Sequence, residues 1–278
     1  MSLQRSLIRP VKVADDSLVG LGGQLRFYAR SIGWSGRTVR RYKKEVLRLL
    51  AEVSLGTGAL SVIGGTVGVI AFLAFFTGTE VGLQGYAALN QIGTSAFSSF
   101  VSAYFNTREI APLVAGIALA ATVGCGFTAQ LGAMRISEEV DALEVMAIPS
   151  MPFLVATRVV GGLIAIIPLY VVGLLSSYFA SRLVVTQIYG QSSGTYDHYF
   201  NAFLPPGDVL WSFGKVLVFA VTVILIHCYH GYNASGGPAG VGIAVGHAVR
   251  TSIVAINVID LFLSMAIWGT TTTVRLAG

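Results

Sequence analysis

Residues 110–134 read IAPLVAGIALAATVGCGFTAQLGAM, without a single Asp, Glu, Lys or Arg. A helix that crosses a ~30 Å hydrocarbon core needs roughly 20 mainly apolar residues. Three more stretches, 53–79, 81–107 and 159–181, are equally free of charge. Two others, around 209–230 and 249–270, are interrupted within by Lys215 and Asp260. In lipid every backbone N–H and C=O must be paired internally, which leaves helices or a closed barrel. Barrel strands alternate apolar and polar positions over about ten residues; these runs are too long and too evenly apolar for that. The fold class expected is therefore an all-α integral membrane protein. Only 11% of the 278 residues are charged, against about 25% in soluble domains.

Working outward, residues 1–50 hold 11 of the 18 Lys and Arg. Leu18, Leu21, Leu25, Tyr28 and Ile32 repeat at 3,4,3,4 spacing, and Val39, Tyr42, Val46, Leu49 and Val53 resume the pattern after glycines at 33 and 36. Arg40, Arg41, Lys43, Lys44 and Arg48 occupy the other face. This predicts an amphipathic helix in the membrane interface, broken at the glycines, over a region 1–52. Its basic charge points to anionic lipid on the cytoplasmic side rather than to nucleic acid. The apolar sequence starts after about residue 52 and lacks the short basic segment and apolar core of a signal peptide, so an uncleaved N-terminus is expected.

Within 53–278 the spans are expected at about 53–77, 110–133, 153–181, 209–229 and 249–270. The segment 81–107 is charge-free but half polar through Asn90, Gln91, Thr94, Ser95, Ser98, Ser99 and Ser102. It fits either a sixth span or a re-entrant or outer-face element. Gly116, Ala120, Gly124, Thr128 and Gly132 form a ridge of small residues that should press closely on a neighbouring helix. GYNASGGPAGVG at 231–242 reads as a glycine-rich loop.

SEEVDALEVM at 137–146 places four acids in seven residues of a basic protein. Ser137 can cap a helix whose first turn holds Glu138 and Glu139; Val140, Leu143 and Ala147 form its apolar stripe, and Pro149 ends it. Such a helix is either a docking element for a peripheral partner or an ordinary solvated loop helix. Arg108, Glu109, Lys215 and Asp260 are ionisable groups in or beside apolar spans, where charge is costly and demands partners. With span 4 starting near 209 and span 5 ending near 270, Lys215 and Asp260 lie about 9 and 15 Å below the outer surface. Side chains can bridge that offset, so an ion pair is expected.

Several motifs lead nowhere. GQSSG at 190–194 has the hydrolase elbow pattern, beside Asp197 and His198, but lacks the strand–turn–helix it needs. Gly240, Gly242 and Gly246 have the wrong spacing for a dinucleotide site. His227, Cys228 and His230 lack further ligands, so no metal is expected, and Cys125 and Cys228 form no disulfide framework. A phosphate-binding loop needs G-x-x-x-x-G-K-[ST]. The one Gly-Lys, at 214–215, is followed by Val216 and preceded by Val209 at the required glycine. The chain cannot build a nucleotide cradle, so no enzyme activity and no cofactor of its own are expected.

GLQGY at 82–86, REIAPLVAG at 108–116, TAQLGAMR at 128–135, EEVDALEVMAI at 138–148 and GYNASGGPAGVG at 231–242 together resemble the MlaE/YrbE family, the permeases of MCE-type lipid ABC transporters. The likeness covers about residues 45–270, and the GYNASGGP loop looks most like the B-type permease of actinobacterial (mycobacterial) Mce systems. It implies an interfacial helix, five membrane helices, and a short cytoplasmic coupling helix at about 137–147. It also makes 81–107 an outer-face or partly inserted element. Glu138, Glu139, Asp141, Leu143, Glu144 and Met146 would then face a separate ATPase that binds ATP and Mg. The family often has Gln where this chain has Glu139. Arg108 and Glu109 would sit in or near a lipid cavity, with Lys215 and Asp260 carrying the charges found at matching positions. The implied partners are an A-type permease, an MceG-type ATPase dimer and a hexamer of Mce proteins. The implied cargo is a sterol or a fatty or mycolic acid, with residues 229–252 leaning the reading to sterols, moved inward across the cell inner membrane. The N-terminus would be cytoplasmic and the C-terminus periplasmic. A scaffold subunit that never touches lipid is the competing reading, and a membrane hydrolase acting through Ser192 a more distant one.

Overall fold

The computed structural model describes residues 3–55 and 65–269, and all regular structure among them is helical. Five of the helices are long and apolar enough to cross a membrane, as the uncharged runs require.

Two helices precede these spans, α1 (Leu3–Arg41) and α2 (Lys43–Leu55). The break falls at Tyr42 and not at the glycines. Gly33 and Gly36 lie inside α1 with open space around them. A helical glycine costs about 1 kcal/mol but does not of itself break the ladder. Even at Tyr42 the bonds carry through, from its N–H to the Thr38 carbonyl at 2.9 Å and from Val46 N–H to its own carbonyl at 3.1 Å. The predicted stripe divides. Leu25, 67% exposed, and Ile32 point away from the bundle, while Phe27, Ser31 and Thr38 are buried against it. Arg26, Arg30 and Arg37 make a third, exposed face. In α2, Val46 and Leu49 are buried; the side chains of Leu18, Leu21, Val39 and Val53 lie outside the described residues.

The first span is α3 (Thr66–Gln91), thirteen residues later than expected. Gly56, Gly58, Ser61 and Gly64 lie outside the described residues. The second, α4, runs unbroken from Ser95 to Ile136. The segment 81–107 is therefore not a sixth span. It is the end of α3, a turn at Ile92–Thr94 with Gly93 at φ 72°, and the start of α4. The polar residues from Asn90 to Ser102 mark a crossing between two spans. No charge marks it, so the run reads as one piece.

Between α4 and the third span lies the short α5 (Glu139–Val145). The third span is α6 (Met151–Ile188), followed by α7 (Ser193–Ala202), α8 (Pro206–Tyr232) and α9 (Gly237–Trp268). The glycine-rich stretch is mostly helix. The turn occupies Asn233–Gly236, and α9 starts twelve residues before its predicted position. Gly236 supplies the left-handed φ of 89°, and Pro238, with no N–H to place, fits the first turn.

Packing follows the small residues. Gly78 and Gly82 of α3 meet the Ser177 and Ser181 backbone of α6, and Ser181 Oγ donates to the Gly78 carbonyl at 2.6 Å. The ridge on α4 meets α8 and α9. Gly116 faces Phe219 and Ile256, Gly124 faces the His227 ring, and Gly132 faces Val241 and Ala234. Ala120 is fully buried, and Thr128 Oγ1 lies 2.7 Å from His227 Nδ1. Wide π turns at Ser102–Ile110 and Ala120–Gly124 interrupt the regular rise of α4.

Candidate functional site: a buried charge network and an acidic docking helix

The π turn at Ser102–Ile110 brings two consecutive residues, Arg108 and Glu109, into contact with α8 and α9. Lys215 of α8, 1% exposed, lies at the centre. Its Nζ is 2.7 Å from the Arg108 carbonyl, 2.8 Å from Ser264 Oγ, 3.2 Å from Glu109 Oε2 and 2.6 Å from Asp260 Oδ1. An ammonium has three N–H groups, and four oxygens surround this one. The contact to Asp260 is an ion pair. Ser264 Oγ in turn donates to Glu109 Oε1 at 2.8 Å.

A second pair adjoins the first. Arg108, buried, donates Nε to Asp208 Oδ2 at 2.7 Å, with Nη2 2.6 Å from the same oxygen. Its guanidinium lies 3.8 Å from the Tyr104 ring centre, and the Trp268 ring lies within 5.3 Å of both cations. Trp268 Nε1 donates to Asp208 Oδ1 at 2.9 Å. A cavity of about 140 Å³ opens beside the pair, lined by Arg108, Asp208, Trp211 and Trp268 among others.

Arg108, Glu109, Lys215 and Asp260 thus share one site. The 9 and 15 Å depths expected from sequence become nearly equal. Lys215 is nine residues from Pro206, about 14 Å, and Asp260 eight from Trp268, about 12 Å. Asp208, Ser264 and Trp268 escape the sequence reading. Asp208 stands in the first turn of α8 behind two prolines, where it reads as an ordinary helix-start acid.

The opposite end of the bundle carries α5. Glu138, not Ser137, occupies the position before the helix, at φ 61°, and makes no side-chain cap. Ser137 Oγ donates instead to Glu139 Oε1 at 2.9 Å. Ala147 after the helix is also left-handed, at φ 56°, so a non-glycine strained residue flanks each end. Val140 is buried, and Leu143 is partly buried against the core. Leu143 therefore packs inward on the bundle, and Ala147 is exposed. Asp141 pairs with Arg135 at 2.7 Å. Glu144 Oε1 accepts from Ser150 Oγ at 2.6 Å, and Ser150 lies 2.8 Å from Tyr232 Oη, whose ring packs on Phe27 of α1. The outward face comprises Glu138, Glu139, Ala142, Val145 at 88% exposure and Met146 at 62%. Ala142 and Val145 are the members that the sequence reading omits.

The remaining motifs resolve locally. GQSSG forms a turn at Gly190, φ 71°, and the start of α7. Asp197 is held by Arg182 through bonds of 2.8 and 2.9 Å, which keep its carboxyl below the usual range. His227 is buried against Gly124 and Thr128. Among the described residues no three His, Cys, Asp or Glu gather as metal ligands.

Comparison with known proteins agrees with this architecture. The family model described as Permease MlaE matches residues 56–266. A Rickettsia bellii protein named "Probable ABC transporter permease protein" is 31% identical over 196 residues, 70% of this chain and 76% of that protein. The chloroplastic Arabidopsis thaliana protein TRIGALACTOSYLDIACYLGLYCEROL 1 is 28% identical over 199 residues, 72% and 57% of the two chains. The "Intermembrane phospholipid transport system permease protein MlaE" of Haemophilus influenzae is 26% identical over 202 residues, 72% and 77%. With a match that covers most of its length and all five spans, this chain belongs to the MlaE permease family.

Proposed function

We propose that the chain is the membrane-spanning permease subunit of an ATP-driven lipid transporter of the MCE type, in the B-type position of an actinobacterial system. The observation that carries this is the outward face of α5. Two exposed apolar side chains, Val145 and Met146, stand beside exposed Glu138 and Glu139 on a helix tethered to the bundle by Val140, Asp141 and Glu144. Exposed apolar groups rimmed by charge are how docking surfaces are built. The chain has no nucleotide cradle, so the partner on this face is a separate ATPase, an MceG-type dimer that binds the ATP and Mg.

The cargo is a hydrophobic lipid. Two relatives support this class by their names, one in phospholipid transport and one called after a galactolipid. For this chain we favour a sterol or a fatty or mycolic acid, moved inward across the cell inner membrane. The N-terminus is cytoplasmic, with its basic α1 on the inner leaflet, and the C-terminus is periplasmic. An A-type permease and a hexamer of Mce proteins complete the assembly. The charge network with its 140 Å³ cavity is the polar feature that a lipid headgroup meets.

The test is purification of the intact assembly in nanodiscs, with mass spectrometry of the lipids and proteins that accompany the chain. ATP-dependent lipid transfer by that assembly is the expected result. An assembly without an ATPase overturns the reading. Photo-cross-linkers beside Arg108 and Lys215 that capture no lipid make the chain a scaffold.

A further inference from the structure

Glu80 lies inside α3, and its side chain is exposed. At 1.5 Å per residue it stands about 21 Å from the Thr66 end and about 17 Å from the Gln91 end, near the middle of this span. Leu73, Phe76, Glu80, Gln84 and Ala87 recur at 3,4,4,3 spacing and are all exposed. The opposite side of the helix, through Ala74, Gly78 and Gly82, is buried. Gln84 Nε2 donates to Glu80 Oε1 at 2.5 Å. Among the described residues no Lys, Arg or His pairs with Glu80, and residues 53–79 contain none. An ionisable group at mid-bilayer is costly unless another chain, water or a cavity answers it. The same protein shows how it answers such groups, since Glu109 and Asp260 share a lysine from a neighbouring helix.

We propose that this stripe of α3 is the seam with a second, non-identical membrane subunit, which sets a Lys or Arg against Glu80 at the same depth. A second copy of this chain does not fit. A two-fold axis along the membrane normal keeps each residue at its depth and lays the stripe on itself, so one Glu80 would meet the other. Like charges at that depth repel, and the repulsion selects against self-pairing. The charge of Glu80 supplies specificity; Leu73 and Phe76 supply the contact area.

The inference requires only that the chain spans the membrane, so its failure leaves ATPase docking at α5 untouched. The test places a photo-cross-linking amino acid at Phe76 in the intact assembly and identifies the product by mass spectrometry. The expected product is a different membrane subunit whose linked helix carries Lys or Arg. Glu80→Lys lowers recovery of that subunit by roughly ten-fold or more, and reversing the partner's cation to Glu restores it. Glu80→Gln, which adds no charge to the membrane, lowers recovery less. A cross-link to lipid alone, a cross-link to a second copy, or recovery unchanged by Glu80→Lys overturns the proposal.

Discussion

Replacement of Lys215 by Met tests the charge network most directly. Met keeps the length of the side chain and removes the ammonium. The Arg108 carbonyl, Ser264 Oγ, Glu109 and Asp260 all lose their contact at once. Two carboxylates then face each other across a site in which Lys215 was 1% exposed. Removal of one partner from a buried ion pair costs about 3–5 kcal/mol, most of it from the charge left behind. At about 2–4 °C per kcal/mol for a chain of this size, the melting temperature falls by about 6–20 °C. Cys228, fully buried in α8, provides the assay, because a thiol-reactive dye reports its exposure on heating. The triple variant Lys215→Met, Glu109→Gln, Asp260→Asn carries no net imbalance and regains most of the loss. The charge swap Lys215→Asp with Asp260→Lys restores one contact of four and recovers less. A melting temperature for Lys215→Met within about 2 °C of the native chain refutes the argument, as does a triple variant no more stable than the single one.

The other predictions are simpler. Gly124→Ala places a Cβ 2.6 Å from the His227 ring and destabilises by about 1–3 kcal/mol, whereas Gly126→Ala, which meets open space in the same helix, melts at or slightly above the native chain. Val145→Asp combined with Met146→Asp removes the apolar contacts of α5; the ATPase no longer co-purifies, while the melting temperature is unchanged because both side chains are exposed. Asp197 has its carboxyl pKa lowered by Arg182, so the pair stabilises the fold above the unfolded value of about 3.9, and the gain is lost as pH falls through the lower folded value. The melting-temperature gap between the native chain and Asp197→Asn therefore closes on acidification; a gap that ignores pH sinks the assignment.

What the sequence makes legible here depends on contrast. Arg108, Glu109, Lys215 and Asp260 stand out because each is charged within apolar surroundings, and the structure gathers all four. Their partners do not stand out. Ser264 is one serine among many, and Asp208 and Trp268 look like ordinary residues of helix ends. The turn at 92–94 fails for the opposite reason, since no charge separates α3 from α4. Glu80 is the instructive error. It divides two charge-free runs in the sequence and so reads as a boundary, yet it sits in the middle of a span. The ridge from Gly116 to Gly132 is legible because its spacing alone defines a face. The inward turn of Leu143 is not, because α5 is too short for a pattern to fix which side meets the bundle.

The three faces of α1 have a consequence for how the whole molecule sits. Phe27, Ser31 and Thr38 hold the helix to the bundle, Leu25 and Ile32 make an exposed apolar side, and Arg26, Arg30 and Arg37 an exposed basic one. A helix with three distinct sides, fastened to the bundle between Phe27 and Thr38, resists rolling about its axis. It acts as a float fixed to a hull. Laid in the interface, such a helix would draw the waterline of the bilayer on the protein from outside the spans, and would fix the depth at which Glu80 and Lys215 ride.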